Sequence, residues 1–496
     1  MFRQMMRTNI LQTGSVTERP LTARQSEIGA HFDHLADSRS SWIDRNRYFY
    51  EADRAYMQFL IPPDCSVLEI GCGVGDLLAA LQPSRGVGID LSTKMVAIVR
   101  ERHPTLTFEA GNAEDPATYD SIDAPFDYIV LSDTIGYLED CQATFLALRR
   151  VCTPRTRVVI AYYSRLWEPI LTIGEQIGQK MPSIPQNWLS TDDTIALLQL
   201  SRFEPIRREW RQLLPKRVLG LGPLLNRYIG TFPGIRRLSL RNYIVARPLL
   251  PTERPSSYPS CTVVVPCRNE RGNIENVVRR LPNFPGELEI LFVEGNSKDG
   301  TYEECIRVRD AYKHRDIRVM HQPGRGKGDA VRAGFAAAGG DILLILDADL
   351  SVPPDTMPKF YEALVADVGE FINGTRMVYP MANNAMQYLN SLANRAFSYV
   401  FSYLLNQRFT DTLCGTKALW SRDYQRIAAN RAYFGDFDPF GDFDLIFGAA
   451  KLNLKIIEMP VRYAERTYGE TQISRFSHGW LLLRMVIYAW RRLKAL

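Results

Sequence analysis

The sequence predicts an α/β protein with two consecutive domains, each built around a largely parallel sheet. Short aliphatic runs alternate with helical segments in both halves of the chain, as parallel sheets with covered faces require. In each half the early apolar runs lead into glycine-rich or acidic turns. Between the halves, residues 248–259 are rich in Pro and Ser and show no periodicity, which is typical of a linker.

These observations set the expected domain boundaries. The 496 residues suffice for two to four domains, and a content of 46% hydrophobic and 23% charged residues is ordinary for globular proteins. We expect a loose leader over 1–26, a first domain over 27–248 and a linker over 249–259. A second domain is expected over 260–475, followed by a basic amphipathic helix over 476–496.

The positive charge is unevenly distributed. The net charge is +5, but the segment from Trp210 to Thr252 contains no acid, and neither does the tail beyond Glu470. Basic residues interleaved with Leu, Trp and Tyr suit an anionic membrane surface or a phosphate-rich ligand. The alternative is a solvated basic face.

Cysteine usage and hydropathy bear on location. The eight cysteines are scattered without a Cys-x-x-Cys pair, which favours a reducing compartment and argues against structural zinc. No signal peptide and no membrane-spanning stretch are evident. We expect a cytoplasmic protein, peripheral at the inner face of the membrane, with no nucleic-acid partner. The C-terminal helix would lie on the membrane or dock on its own domain.

The first domain opens with a strand and a glycine-rich turn. The segment from Val67 to Gly75 reads Val-Leu-Glu-Ile-Gly-Cys-Gly-Val-Gly. The next strand, Gly86 to Asp90, ends in an acid about 20 residues after the first glycine, where a carboxylate can hold ribose hydroxyls. The turn lacks the Gly-x-Gly-x-x-Gly spacing that places a pyrophosphate on a helix, so a ligand without phosphates fits it better.

Further strands are predicted at Thr107 to Ala110, Phe126 to Leu131 and Val158 to Tyr162. The order of these pieces resembles the class I S-adenosylmethionine-dependent methyltransferases. The resemblance implies a Rossmann-like sheet closed by an antiparallel pair, 207–214 and 242–247. It also implies S-adenosylmethionine as cofactor, bound by Glu69, Gly71, Gly73, Gly75, Asp90, Asn112, Ala113 and Ser132. Asn112 stands where the family more often has Asp.

The sequence does not single out a catalytic base in this domain. Methyl transfer to an oxygen requires a base near the acceptor, and Tyr137, Asp133 and His31 are the candidates. Each of them is also a common structural residue. A domain that binds the cofactor without turning it over therefore stays open as an alternative.

The second domain repeats the strand and helix alternation. Strands are predicted at Cys261 to Pro266, Glu289 to Glu294 and Ile317 to Met320. A Ser-Lys-Asp-Gly-Thr turn begins at Ser297. The segment Gly324-Arg325-Gly326-Lys327-Gly328 then places cations and flexible backbone before a helix over 329–338, in the manner of a phosphate cradle but without Walker spacing.

A pair of carboxylates follows the next strand. The apolar run from Ile342 reads as a buried strand and ends at Asp347 and Asp349, with Pro353 and Pro354 beyond. Ligands bind beyond the carboxyl ends of such strands, and an Asp-x-Asp pair suits a hard divalent cation that carries phosphates. The alternative is that one Asp caps the turn and the other is solvated.

Together these motifs resemble the family 2 inverting glycosyltransferases of the GT-A fold, the nucleotide-diphospho-sugar transferase fold. The likeness is strongest to the polyprenyl-phosphate glycosyltransferases, such as dolichyl-phosphate mannose synthase. It implies a nucleotide diphosphate sugar bound by Pro266, Glu270, Glu294, Lys327 and Asp347. It also implies Mg²⁺ or Mn²⁺ on Asp347 and Asp349. Glu294 replaces the family's usual Asp, and Ser351 stands where these enzymes often have Gln.

The acceptor side is expected to follow, beginning with the segment from Met386 to Leu405. The segment Asp411 to Lys417 and the segment Gly441 to Leu445 resemble the family's acceptor motifs. For transfer to a hydroxyl, we expect Asp442 as the carboxylate base and Asp444 as the second choice. Lys417, Arg462 and Arg466 would meet phosphates of the acceptor.

The sequence thus predicts a bifunctional enzyme. It would transfer a sugar to a polyprenyl phosphate or a cell envelope glycan, and it would methylate a related glycan or lipid. Two alternatives stay open: a glycosyltransferase with a non-catalytic cofactor-binding module, and a regulator that binds nucleotide sugars without transferring them.

Overall fold

The computed structural model describes residues 20–251, 257–379, 388–433, 443–464, 468 and 475–495. It divides into two compact units, and the division falls between Leu250 and Pro251. Most of the predicted leader and residues 252–256 of the predicted linker lie outside the described residues. Helix α1 (Ala23–Leu35) begins within the expected leader because Thr22 and Gln25 form a reciprocal capping box.

The first unit combines a sheet with helices along the chain. Its described strands are β1 (Ser66–Ile70), β2 (Arg85–Asp90), β3 (Thr107–Ala110), β4 (Phe126–Ser132), β5 (Cys152–Tyr163), β6 (Phe203–Arg211) and β7 (Arg241–Pro248). The helices after α1 are α2 (Arg39–Arg45), α3 (Arg47–Leu60), α4 (Asp76–Ala80), α5 (Thr93–Arg102), α6 (Cys141–Leu148), α7 (Glu168–Gln176), α8 (Thr191–Leu200) and α9 (Leu221–Leu224).

The first sheet has the order β3-β2-β1-β4-β5-β7-β6. Strands β1 to β5 are parallel, and β7 runs antiparallel to both β5 and β6. The expected Rossmann-like sheet with an antiparallel closing pair is confirmed. Strand β6 ends at Arg211 and not at Leu214 as predicted, because Gln212 adopts a φ of 65° and breaks the extended backbone.

One helical segment of the sequence forms two helices. Aromatic and apolar residues at helical spacing from Trp42 to Leu60 predict a single helix, but the structure separates α2 from α3 at Asn46, whose φ is −109° and ψ is 28°. The Asn46 side chain donates a hydrogen bond to the carbonyl of Trp42 at 3.2 Å, so it competes with the helical backbone pattern at this position.

The second unit has the same general construction. Its described strands are β8 (Cys261–Cys267), β9 (Leu288–Glu294), β10 (Asp316–His321), β11 (Ile342–Ile345), β12 (Phe371–Thr375), β13 (Lys417–Trp420) and β14 (Ile456–Pro460). Its helices are α10 (Ile274–Arg280), α11 (Thr301–Ala311), α12 (Lys327–Ala337), α13 (Met357–Val365), α14 (Tyr388–Leu405), α15 (Ser421–Ala429), α16 (Phe443–Lys451) and α17 (Arg475–Leu493).

The second sheet has the order β10-β9-β8-β11-β13-β12-β14. Strands β10, β9, β8 and β11 are parallel, and β13 is antiparallel to both of its neighbours. From β8 the chain builds outward through β9 to β10 and then returns to add β11 on the other side of β8. The carboxyl ends of β8 and β11 therefore flank a topological switch point, where α/β sheets bind ligands.

Apolar strands account for both cores. Val67, Leu68 and Ile129 in the first sheet, and Val263 and Leu344 in the second, are completely buried. Such runs are typical of parallel strands that are covered on both faces. Across the described part of the chain, no helix is both long and apolar enough to cross a membrane.

Candidate active sites

The glycine-rich turn lies at the carboxyl edge of the first sheet. Gly71, Gly73 and Gly75 follow β1 with φ angles of 72°, 52° and 77°, in the region that favours glycine. A Cβ on Gly71 would collide with Thr134, and one on Gly75 would collide with Val99. A Cβ on Gly73 would meet no heavy atom within 4 Å. The backbone of Gly73 is therefore open to close approach by a ligand.

Asp90 connects this turn to the end of β2. Its Oδ2 accepts the backbone N–H of Gly73 at 2.8 Å, and its Oδ1 accepts the N–H of Ser92 at 2.9 Å. Burial raises the pKa of Asp90, although the two N–H groups oppose this change. Each carboxylate oxygen keeps further acceptor capacity, so Asp90 can hold ribose hydroxyls while it orders the turn.

A cavity of about 330 Å³ opens at this edge. Of the predicted cofactor residues, six line it: Gly71, Gly73, Asp90, Asn112, Ala113 and Ser132. The side-chain amide of Asn112 donates to Gln25 at 3.2 Å and its oxygen accepts the N–H of Glu114 at 3.0 Å, which fixes the loop after β3. The predicted residues thus converge on one cavity from several different strand ends.

Two predicted cofactor residues lie outside the lining. Glu69 is buried beneath the turn, where its carboxylate accepts the N–H of Leu78 at 3.1 Å. Burial raises the pKa of Glu69 well above its ordinary range, against that hydrogen bond. Gly75 precedes α4 as its N-cap. Both residues therefore support the glycine-rich turn and do not line the cavity.

Sequence reasoning missed a buried network beside the cavity. Arg241 is fully buried; its Nε donates to Asp53 at 2.9 Å, and its other nitrogens contact Asp133 and Ser132. Although burial acts against the charged form, Asp133 and Asp53 raise the pKa of Arg241 well above its usual value. These partners are up to 188 positions apart in the chain, so no local motif announces them.

Aromatic and basic residues form one wall of the cavity. Arg39, Tyr50, Tyr137 and Tyr163 line it, together with residues of α7. Burial raises the pKa of Tyr137. Among the three base candidates, Asp133 and Tyr137 line the cavity, whereas His31 is outside the lining. Asp133 is also bound to Arg241, so the ion pair limits its freedom to accept a proton.

The residues present fit S-adenosylmethionine. The open backbone at Gly73, the acid at the end of β2 and the amide of Asn112 offer partners for an amino acid, a ribose and a base. The cofactor would supply an electrophilic methyl group on a sulfonium. The aromatic wall can lie against that positive charge because aromatic faces attract cations.

The switch point of the second sheet carries the second group of predicted residues. Pro266 belongs to β8, Glu294 ends β9, and Asp347 follows β11, so all three lie at one sheet edge. Lys327 Nζ lies 2.5 Å from Asp347 Oδ1. A Cβ on Gly415 would collide with both of these side chains, which explains why a glycine faces the pair.

Glu294 is held in a defined orientation. It is buried, and its Oε1 accepts the backbone N–H of Ser297 at 2.6 Å. Its Oε2 lies 3.2 Å from Nδ1 of His321, whose ring stacks on Tyr302 with centroids 4.0 Å apart. Although burial opposes it, the bonds from Ser297 and His321 lower the pKa of Glu294. Sequence reasoning did not single out His321 or Tyr302.

Glu270 and Asp349 complete this group. Glu270 accepts a hydrogen bond from the side chain of Asn273 at 2.7 Å. Asp349 is 8% exposed and accepts the backbone N–H of Ser351 at 2.9 Å. Within the described residues, no three His, Cys, Asp or Glu side chains converge on a metal-sized site. Two carboxylates and the oxygens of a diphosphate nevertheless form a suitable hard-oxygen donor set for Mg²⁺ or Mn²⁺.

Two family models match the chain. A model of the family "Glycosyl transferase family 2" matches residues 262–428, and a model of the family "Methyltransferase domain" matches residues 68–158. The chain carries a methyltransferase domain and a family 2 glycosyltransferase domain. Both matched families are transferase families.

One relative agrees with the glycosyltransferase assignment. The chain is 38% identical over 111 residues to the dolichol-phosphate mannosyltransferase of Saccharomyces cerevisiae, over 21% of this chain and 40% of that protein. It therefore spans less than half the length of that relative.

Two solved structures are similar at low identity. One is a S-adenosylmethionine-dependent methyltransferase, described as a possible histamine N-methyltransferase, of Thermotoga maritima (15% identity, TM-score 0.35, 44% of this chain, 99% of that one). The other is glucosyl-3-phosphoglycerate synthase of Mycobacterium tuberculosis with Mn²⁺, uridine diphosphate and glucosyl-3-phosphoglycerate (17% identity, TM-score 0.34, 47% and 80%).

The structure describes only some of the residues that we predicted to contact the acceptor. Asp442 and Arg466 lie outside the described residues. Arg462 lies over the ring of Tyr379 at 5.3 Å. Lys417 is completely buried in β13, and its Nζ donates to the carbonyl of Cys414 at 2.5 Å.

Asp444 lies between two arginines. It is 6% exposed at the start of α16, with Arg431 Nε at 3.4 Å and Arg332 NH1 at 3.8 Å from its carboxylate. The two guanidinium groups hold this buried carboxylate in place through ion pairs. These contacts favour an orienting role for Asp444 over proton transfer.

A third ion pair in this region was not expected from the sequence. Asp411 is completely buried and accepts two hydrogen bonds from the guanidinium of Arg376, at 2.6 and 2.8 Å. Burial acts to raise the pKa of Asp411, but Arg376 holds it below its ordinary value. Because Arg376 follows β12 directly, this pair fixes the backbone at the end of that strand.

Proposed function

We propose that the chain is a bifunctional transferase. Its glycosyltransferase domain would move a sugar from a nucleotide diphosphate sugar to a polyprenyl phosphate or glycan acceptor, with inversion and with a divalent metal. Its methyltransferase domain would methylate a related glycan or lipid with S-adenosylmethionine. We place the protein in the cytoplasm at the inner face of the membrane.

The observation that carries the first activity is the group at the switch point of the second sheet. Asp347, Asp349 and Lys327 combine two carboxylates with one ammonium at the site where the fold binds ligands. A bound metal would supply charge neutralisation on the diphosphate. Lys327, freed from Asp347, would contribute a charged donor to the same phosphates.

The chain's residues would act on the acceptor from the opposite side. In the proposed reaction an acceptor oxygen forms a bond to the anomeric carbon as the bond from that carbon to the diphosphate oxygen breaks. A hydroxyl acceptor loses its proton to Asp442 in this proposal. An ionised acceptor phosphate needs little proton removal, and Asp442 would then mainly position it. Arg462 and Arg466 are proposed to hold acceptor phosphates.

The cavity beneath Gly73 and Asp90 supports the second activity. There the methyl group would pass from sulfur to an acceptor heteroatom, the sulfonium would become a neutral thioether, and the acceptor proton would go to a nearby base or to water. The ion pair between Asp133 and Arg241 and the raised pKa of Tyr137 favour a second candidate, a domain that binds the cofactor without turnover.

One experiment separates these outcomes. The full chain is incubated with a panel of nucleotide sugars, membrane lipid extract and Mg²⁺ or Mn²⁺, and product is followed by mass spectrometry. Parallel reactions with S-adenosylmethionine are assayed for the demethylated cofactor. Sugar transfer with cofactor turnover supports both activities, and transfer with cofactor binding but no turnover supports the binding module. Nucleotide-sugar binding without transfer would establish a regulator.

A further inference from the structure

Helix α7 of the methyltransferase domain presents an apolar face to solvent. None of its residues is buried. Leu166, just before the helix, and Ile170, Ile173 and Ile177 are 63%, 53%, 57% and 65% exposed. Their spacing of four, three and four residues places them on one side of the helix. An amphipathic helix of a globular domain normally buries this side, so the exposed face is unusual.

The segment after β6 adds a second exposed apolar set. Between β6 and β7, six large apolar side chains are at least half exposed: Val218, Leu219, Leu221, Leu224, Phe232 and Leu238. Leu219 is 91% exposed and has a φ of 49°, a strained conformation for a leucine. Isolated exposed leucines are common, but so many in one short segment are not.

The two sets belong to one surface. Nε1 of Trp167, at the start of α7, donates to the carbonyl of Leu238 at 2.8 Å. Nζ of Lys216 lies 3.4 Å from the side-chain oxygen of Gln179, just after α7. We name the surface formed by residues 165–180 and 216–238 the α7 surface.

The charge of the α7 surface is positive. No acid occurs from Trp210 to Thr252, and Arg217, Arg227 and Arg237 are exposed, although Arg217 also pairs with Glu51 at 3.4 Å. Of the two acids on α7, Glu168 and Glu175, the second is neutralised by Lys180 at 2.8 Å, so basic residues outnumber acids on this surface. Apolar side chains flanked by exposed arginines fit the boundary between the acyl chains and anionic headgroups of a bilayer. A second copy of the chain would bring the same positive charge and repel.

The α7 surface also borders the cofactor cavity. Trp167, Ile170 and Gly174 from one segment, and Lys216 from the other, line that cavity. A molecule that enters from this side therefore comes from whatever the α7 surface contacts. This position connects the surface to the choice of methyl acceptor.

We infer that the α7 surface seats the methyltransferase domain on an anionic bilayer, from which a lipid or lipid-linked acceptor enters the cavity. The inference of membrane docking rests only on the exposed residues of the α7 surface. The identity of the acceptor rests on the proposed methyltransferase activity.

The first test locates docking by hydrogen–deuterium exchange. The full chain is compared with and without phosphatidylcholine vesicles that contain phosphatidylglycerol. Protection of peptides from 165–180 and 216–238 is expected, and it should disappear in vesicles of phosphatidylcholine alone. Absence of protection in these peptides, even if the chain binds vesicles elsewhere, overturns the inference.

The second test uses matched variants. Ile173→Asn with Ile177→Asn changes exposed residues that do not line the cavity, and Leu146→Asn with Leu200→Asn changes leucines that are 47% and 65% exposed elsewhere on the domain. The first variant should lose the vesicle-dependent protection and weaken vesicle affinity of this surface roughly tenfold. The second should keep both. Equal behaviour of the two variants contradicts the proposal.

Light scattering and cofactor assays distinguish the remaining outcomes. If wild-type protein is a dimer that the Ile173→Asn, Ile177→Asn variant makes monomeric, the surface is an interface between copies and the proposal fails. Cofactor affinity by calorimetry should be the same in both variants. If docking is observed but no acceptor is ever methylated, the proposed activity fails while docking stands. Turnover with a water-soluble glycan that equals turnover with vesicles contradicts the acceptor assignment.

Discussion

The ammonium of Lys327 lies 2.5 Å from a carboxylate oxygen of Asp347, and Gly415 packs closely against both side chains. The pair joins the first residue of α12 to the turn after β11. Both side chains are partly exposed, at 30% and 24%, so the pair contributes little to stability, about 0 to 1 kcal/mol. Its position at the switch point of the sheet makes it part of the proposed donor site.

Replacement of Lys327 tests this role. Lys327→Met should lower kcat/KM for the nucleotide sugar by roughly tenfold to a hundredfold, because a hydrogen bond to a charged group contributes about 1.5–3 kcal/mol. The melting temperature should change little. Lys313→Met, at an exposed position of the same domain, is the control and should leave both values unchanged. Loss of folding in Lys327→Met would mean that the lysine is structural.

A methyl group at residue 415 tests the same site without changing its charge. Gly415→Ala should push Asp347 and Lys327 apart and reduce sugar transfer at least about tenfold, since overpacking costs about 1–3 kcal/mol. Gly339→Ala is the control, because its Cβ would approach Glu289 only to 4.0 Å. Equal activities of the two variants, measured with a saturating donor, would contradict the proposed site.

The open backbone at Gly73 gives a test for the cofactor. Gly73→Ala should weaken S-adenosylmethionine binding at least about tenfold, because the added methyl group enters the space that the cofactor requires. Gly178→Ala is closely matched: its φ is 67°, against 52° for Gly73, and neither Cβ would meet an atom within 4 Å. Both should lose about 1–2 kcal/mol of stability from the left-handed backbone. Calorimetry should find weak cofactor binding in the first variant alone.

The buried pair of Asp411 and Arg376 predicts a pH dependence. Since the folded state lowers the pKa of Asp411, the pair's stabilisation is fully present above the unfolded value of about 3.9 and is lost as pH falls below it. Asp411→Asn should cost about 3–5 kcal/mol at neutral pH, because it leaves a buried arginine without its counter-charge. Urea unfolding at several pH values should show a smaller acid-induced loss in the variant. An unchanged pH profile would contradict this account.

Sequence patterns were most useful where a buried strand is followed directly by a glycine or an acid. Gly73, Asp90 and Asp347 were predicted from local patterns, because a glycine or an acid directly after a buried strand stands at the sheet edge where ligands bind. Arg241 and its partner Asp53 were missed, since burial and pairing across 188 positions leave no local pattern. The prediction of one helix from Trp42 to Leu60 failed at Asn46 because a side-chain hydrogen bond competed with helix propensity.

Predictions about surface residues show the same limit of local sequence patterns. The acid-free stretch after Trp210 suggested a membrane or phosphate partner from charge alone, but not that α7 would add an apolar face beside it. Lys417 shows what the fold adds: a lysine in an acceptor motif predicts a phosphate contact, and the structure buries this lysine completely in β13. Sequence shows which residue types are present, and only the fold shows which of them face solvent.

The most direct test of the central claim is sugar transfer by the Asp349→Asn variant in parallel with metal removal from the wild-type protein. We predict that transfer falls at least roughly a hundredfold in both cases, since charge neutralisation by a metal supplies several kcal/mol. Added Mg²⁺ or Mn²⁺ should restore only the wild-type protein, and circular dichroism should show both proteins folded. Full transfer with the metal chelated, or by Asp349→Asn, would contradict the claim.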